Sequence, residues 1–267
     1  PNPWLRTVRA AFLRGDLVVT GTSAGAAVQS GTAGMITNGT SVNALAYGAI
    51  AFHGSMPEGC ERAKRCPIPL REDDLTWWKG GGLDLFGNYL VDTHVSERRR
   101  ELRLITLMGA LAQAAVQAPE AGIGIDETSA LTVRLVADGL QLEASGQSGA
   151  WWFEPPESRT AAGGWAVRGH YLAPGAGLLW SKGRMQPLSA ASPVNPSGSI
   201  GNVGGDALQP EVLRQVVWHL VRAGAQDTEL DALDFRLKIK VLPGAHRWQG
   251  PQGQQGVTGL EFMLARP

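Results

Sequence analysis

The sequence predicts an α/β fold in which helices cover a mostly parallel sheet, with a β-rich part toward the C-terminus. Three observations carry that prediction. A β-branched run, Leu17-Val18-Val19-Thr20, passes through a Gly-bounded turn into a stretch of small residues, as a buried strand feeding a helix does. A second apolar run, Gly122 to Ile125, follows a segment with helical spacing. Beyond it the pattern becomes strand-like runs separated by turn residues. With 267 residues, 43% of them hydrophobic, the chain can form one large domain or a domain with an annex.

Taken in order, "GDLVVTG" reads as a buried parallel strand and "SAGAAVQS" as a small-residue helix. Between Met35 and Leu83, clusters of Gly, Asn and Pro break the apolar pattern and predict long surface loops, whose Trp77 and Trp78 could line a cleft. From Ser96 onward Leu104, Met108, Leu111 and Ala115 recur at helical spacing until Pro119. "AGIGID" then reads as a strand, and "LTVRLVADGLQLEAS" as a hairpin turning at Ala-Asp-Gly. "PEVLRQVVWHLVRAG" is a helix with Pro at its start and Gly at its end. The expected organisation is an α/β domain over 1–188, a Gly/Pro/Ser-rich linker over 189–206, and a helix with strands over 207–267 that complete or annex the domain.

Lys plus Arg and Asp plus Glu both number 24, so net charge gives no pull toward nucleic acid or an anionic membrane. No apolar run reaches the roughly 18 residues of a bilayer-spanning helix, and "PNPWLRTVRA" lacks the charged-then-apolar order of a signal peptide. The protein therefore reads as soluble. Cys60 and Cys66 lack zinc-like spacing; they form either one loop-closing disulfide, as an oxidising compartment permits, or two free thiols.

Residues Gly21 to Gly25 fit G-x-S-x-G, in which small neighbours permit a strained turn that presents a serine hydroxyl. The amide of Ala24 and the helix N-terminus would then face a developing oxyanion. A tight packing turn is the alternative reading of the same residues. A nucleophilic serine needs a base, and His94 lies in the unusual run "DTHVSERRRELRL". A helix capped by Ser96 would place Arg98, Arg99 and Arg100 in its first turn, where the dipole disfavours each cation by a few tenths of a kcal/mol. An anion should offset them: a substrate carboxylate, or Asp92 and its neighbours. A solvated basic face is the bland alternative, and Arg99, on another side of the helix, reads as solvated. The strand "AGIGID" ends in Asp126 and Glu127, where an α/β site would orient a histidine, although an acidic turn fits as well. The other histidines, His53, His170, His219 and His246, sit in loop, strand or apolar contexts.

Together "GTSAGAA", "DTHVSERRRELRL" and "GIGIDETSAL" resemble, in order and spacing, the cyanophycinase family of serine peptidases, which includes the aspartyl dipeptidases. The resemblance covers Gly15 to about Trp152, takes in "GMITNGT", and then fades, though "FRLKIKVLPGAH" is faintly similar to the family's final strand. It implies a flavodoxin-like sheet of the class I glutamine amidotransferase type. It also implies that Ser23 is the nucleophile, His94 its base, Glu127 the group that orients the base, and Ala24 an oxyanion amide. Asp92, Arg98, Arg100 and Arg103 occupy the positions that hold a substrate's charged groups in the family. The implied reaction is hydrolysis of cyanophycin, or of related β-aspartyl or acidic peptides, to dipeptides such as β-Asp-Arg.

Two departures qualify that expectation. Thr93 stands where the family has a substrate-contacting glutamine, which loosens the link to cyanophycin. Only 22 residues precede Ser23, where the family carries further strands and a Gly-rich loop supplying another oxyanion amide, so the sequence reads as a fragment lacking its N-terminal part. The chemistry implies no metal or organic cofactor. A peptide is the expected partner, a homodimer is an open assembly, and the compartment is undetermined. Two competing readings are an α/β-hydrolase esterase using Ser23, Asp231 or Asp234, and His246, and a catalytically silent binding protein that keeps the fold.

Overall fold

Connection length dictates strand direction: parallel neighbours need a crossover of roughly a dozen or more residues, whereas antiparallel neighbours need only a turn. The computed structural model describes residues 3–51, 58–66, 70–85, 87–114, 118–156, 158–159, 165–188, 194 and 205–267. Helix α1 (Pro3–Leu13) and the single turn α2 (Ala24–Ala27) precede β1 (Met35–Asn38), α3 (Ser41–Tyr47), β2 (Ala49–Ala51) and β3 (Leu75–Trp78). A β-α-β unit follows, made of β4 (Tyr89–Thr93), α4 (Glu101–Gln113) and β5 (Ala121–Ile125). Then come β6 (Ser129–Val136), β7 (Gly139–Gly146), β8 (Ala150–Phe153), β9 (Ser158–Arg159), β10 (Trp165–Leu172), β11 (Gly177–Ser181) and β12 (Arg184–Pro187). Helix α5 (Val212–Ala223) leads into β13 (Asp227–Ala232), β14 (Phe235–Val241), β15 (Arg247–Gln249) and β16 (Gln255–Ala265).

A nine-stranded sheet runs β13-β14-β16-β10-β8-β5-β4, with β15 on β16 and β9 on β10; β12-β11-β7-β6 and β1-β3-β2 form smaller sheets. The parallel ladders among the described residues are β4–β5 and β2–β3. The expected mostly parallel, flavodoxin-like sheet is therefore wrong. The protein is sheet-rich, with one mixed main sheet dominated by antiparallel pairs. The physical reason is that α4 supplies the crossover for β4–β5, while the strands after β5 are joined mostly by turns too short to return in parallel.

Several local expectations change with it. Leu17 to Thr20 forms no strand among the described residues, and Val18 is 83% exposed. The outer edge of β4 is occupied instead by Ser30, whose Oγ accepts from the Val91 N–H at 2.9 Å, and by Gly31, whose N–H donates to Tyr89 O at 2.6 Å. The small-residue helix is one turn long. The segment Met35–Leu83 is not simply surface loop, because β1, β2 and β3 form their own sheet there and bury Leu75 and Trp77. Helix α4 begins at Glu101 rather than Ser96, so Arg98 and Arg99 belong to the preceding turns and Arg100 is the N-cap. Ala115, His53 and the linker lie outside the described residues, except for Val194, Gly205 and Asp206 of the linker.

Strand β8, Ala150 to Phe153, is buried throughout and organises both faces of the main sheet. On one face Trp151 meets Tyr171, Phe262 and Phe153, and Tyr171 meets Trp218 of α5. On the other, Trp152 packs on Trp180 of the four-stranded sheet and on Tyr89. The period-2 alternation of strand side chains sends the two tryptophans to opposite layers, and each well-oriented ring pair adds about 0.5–1.5 kcal/mol beyond area burial. Strand β16 pairs with β10 from Trp165 to Tyr171, so residues 207–267 extend the same sheet. Cys60 and Cys66 form a disulfide. No helix among the described residues is long and apolar enough to cross a membrane.

Candidate active site

The parallel β4–β5 ladder ends with Thr93 opposite Ile125. Both strands thus release their chains at the same edge, where ligands of α/β sheets commonly bind. His94 is the first residue beyond β4, and Asp126 and Glu127 are the first two beyond β5. His94 Nδ1 lies 2.8 Å from Glu127 Oε1, and His94 Nε2 lies 3.0 Å from Ser23 Oγ. An ionised carboxylate only accepts hydrogen bonds, so the arrangement assigns the proton to Nδ1 and leaves Nε2 to accept from the serine hydroxyl.

Ser23 has φ 50° and ψ −121°, a conformation that a residue with a side chain rarely holds. Such strain costs on the order of 1–3 kcal/mol and concentrates at functional sites. Gly21 makes it possible, because a Cβ there would collide with the carbonyl of Gly25. A Cβ on Gly25 itself would meet nothing, so the second glycine of the motif is not demanded by space. The Ser23 carbonyl accepts from Ala26 and Ala27, whereas the Ala24 N–H has no hydrogen-bond acceptor among the described residues. His94 also has positive φ, 55°, and its turn is closed by Arg98 N donating to His94 O and Arg100 N donating to Val95 O.

A cavity of about 810 Å³ opens over this line, with Ser23, His94 and Glu127 on its wall. Thr93 and Arg98 also line it, and Val91, Ile123 and Leu131 form an apolar floor. Arg98 is half exposed, its Nε 3.6 Å from Glu127 Oε1. No protein-family model matches this chain, and no solved structure matches it significantly.

The remaining charged candidates lie away from the cavity wall. Arg103 grips Asp92 with two bonds, Nε to Oδ2 at 2.7 Å and Nη2 to Oδ1 at 2.6 Å, and both side chains are buried. Arg103 Nη1 also donates to Gly39 O, and Asp92 Oδ1 accepts from the Thr93 N–H at 2.9 Å. Arg100 Nη1 donates to Thr93 O at 2.9 Å; burial first, then Arg103, lowers its pKa to about 10. These three residues hold the end of β4. Arg99, expected to be solvated, donates to Leu208 O at 3.1 Å and ties the His94 turn to the segment before α5. Trp77 and Trp78 are not on the cavity wall. Nor are His246, Asp231 and Asp234, and Asp231 pairs with Arg236 at 2.9 Å, so the late-histidine arrangement does not assemble at Ser23.

Beneath the line lies a largely buried acid cluster, of which the sequence singles out only Asp126. Glu97 and Asp126 meet at Arg214 of α5, and the buried Glu101 lies close to both carboxylates. Burial raises the carboxyl of Glu101 to about 8, and burial together with Glu97 raises that of Asp126 to about 6. One sequence feature could have exposed the cluster: Arg214 shares a helical stripe with Val217 and Val221, a charge on an apolar face.

Proposed function

We propose that the protein is a serine-type hydrolase that cleaves amide bonds, with Ser23 as nucleophile. The observation that carries the reading is the unbroken hydrogen-bonded line Ser23–His94–Glu127, with the serine on a strained turn. Ser23 Oγ attacks the carbonyl carbon as His94 Nε2 takes its proton. The Ala24 N–H donates to the oxyanion, and Glu127 holds the imidazolium through Nδ1. His94 returns the proton to the leaving amine, leaving an acyl-enzyme. Water, deprotonated by the same imidazole, then releases the acid and restores Ser23.

The favoured substrates are acidic or β-aspartyl peptides, including cyanophycin, as the sequence resemblance implies. Arg98, the guanidinium on the cavity wall, suits a substrate carboxylate. Thr93, also on the wall, leaves more room than the family's glutamine. The Cys60–Cys66 disulfide favours an oxidising compartment.

The test is covalent labelling by a fluorophosphonate followed by assay on cyanophycin and an isoaspartyl dipeptide. Labelling at Ser23, with turnover lost by about a thousandfold or more in Ser23→Ala, is the expected result. Turnover that survives in Ser23→Ala would remove the serine from the chemistry.

A further inference from the structure

We propose that Arg214, on the C-terminal helix α5, is a positioning residue for the Ser23–His94–Glu127 line, clamping through Glu97 and Asp126 the two turns that carry His94 and Glu127. The proposal deepens the serine-hydrolase reading and rests on it.

The two turns are stitched crosswise. Glu97 belongs to the His94 turn, yet its Oε2 accepts from the backbone N–H of Glu127 at 2.9 Å. Asp126 belongs to the Glu127 turn, yet its Oδ1 accepts from the backbone N–H of Ser96 at 3.0 Å. Each turn therefore lends a carboxylate to the other's main chain. Two carboxylates drawn this close repel, and one cation lies across both. Arg214 Nη1 donates to Glu97 Oε1 at 2.6 Å and to Asp126 Oδ2 at 3.2 Å. The same nitrogen reaches Ser148 Oγ at 3.0 Å, Nη2 sits 3.0 Å from Glu211, and the side chain is almost fully buried. Tyr171 OH donates to Asp126 Oδ2 at 2.8 Å, and Trp151 Nε1 donates to Ser96 Oγ at 2.9 Å, so the clamp is anchored in the aromatic core.

Electrostatics agree with this geometry. Burial works against the guanidinium, but Asp126, Tyr171 and Glu97 outweigh it and hold Arg214 firmly charged. Removing that cation leaves the buried Asp126 and the half-buried Glu97 mutually repulsive, and the response open to them is to separate or to take up a proton. Separation moves the backbone of Glu127 relative to His94, and proton uptake weakens the bonds that Glu97 and Asp126 accept from the Glu127 and Ser96 N–H groups and so loosens the same link. A misplacement of about 1 Å at such a site costs up to about a hundredfold in rate.

The test reads the His94 ring directly. Nitrogen-15 shifts of the imidazole, measured on folded protein, report its tautomer and hydrogen bonding, and the rate of Ser23 labelling by a fluorophosphonate reports its function. In Arg214→Met and Glu97→Gln the Nδ1-protonated tautomer should give way to a mixture, with labelling slowed about tenfold to a hundredfold. Arg214→Lys, which keeps the charge, should recover part of both. Glu97→Gln preserves size and decides the matter if Arg214→Met does not fold. Unchanged ring shifts in the variants that fold would overturn the proposal and leave Arg214 as a stabilising ion pair. If wild-type Ser23 resists labelling, the hydrolase reading falls, while the ring shifts still decide whether Arg214 sets the imidazole.

Discussion

Ser23 holds a conformation that its neighbours must permit, and the two glycines beside it should answer differently to the same change. Gly21→Ala places a methyl against the Gly25 carbonyl and should abolish labelling of Ser23, whereas Gly25→Ala meets open space and should leave the labelling rate within about twofold. Equal effects in a labelling assay would contradict the account of the turn. Asp92 was expected to hold substrate, yet Arg103 holds it. Arg103→Met should therefore cost about 3–5 kcal/mol in urea unfolding, because it strands a buried carboxylate. Glu101 and Asp126 make stability depend on pH. Their folded-state values, about 8 and about 6, lie above the ordinary 4.5 and 3.8. Between each pair of values the folded chain keeps a proton that the unfolded chain has released, so stability falls as pH rises. The urea midpoint should drop from about pH 5 to about pH 8, and Glu101→Gln should flatten the upper part of that slope. The residues of the hydrogen-bonded line were legible in the sequence, since Ser23, His94 and Glu127 each sit in a short distinctive run. Their partners were not, because Glu97 and Arg214 are separated by more than a hundred residues and meet only through the sheet.

Elements with strong periodicity were equally legible. Helices α4 and α5, strand β5 and the β6–β7 hairpin fall where spacing and turn residues placed them, within a few residues. Leu17 to Thr20 misled because a β-branched run announces a preference for extended backbone without naming a partner. The edge it would have joined is already bonded by Ser30 and Gly31. Strands β1 to β3 were hidden by their shortness, three or four residues each among Gly-rich connections, which reads as loop in any single window. Near them the Cys60–Cys66 bridge closes a short loop. Replacing both cysteines with serine should lower stability by roughly 2 kcal/mol in thermal or urea melts, by restoring freedom to the unfolded chain. No change would mean that the loop contributes nothing to the cooperative fold.

The whole molecule departs from its expected architecture because strand direction is decided by connections that composition does not reveal. Among the described residues one β-α-β unit supplies the parallel ladder of the main sheet, and antiparallel strands extend it through β16, β14 and β13. Ending the chain at Pro187 should expose the β10 edge and the aromatic face around Trp151, yielding protein that aggregates and does not label at Ser23. A soluble, labelling-competent truncation would show that the C-terminal strands are dispensable. The lone parallel pair at the edge of the main sheet has another implication. His94 and Glu127 face each other only because β4 and β5 are in one particular register. A slip by one residue would carry the imidazole about 3.3 Å along the strand and turn it to the opposite side of the sheet. The five-rung ladder from Tyr89 to Thr93 thus acts as a vernier for the site, converting strand alignment into the distance between imidazole and carboxylate.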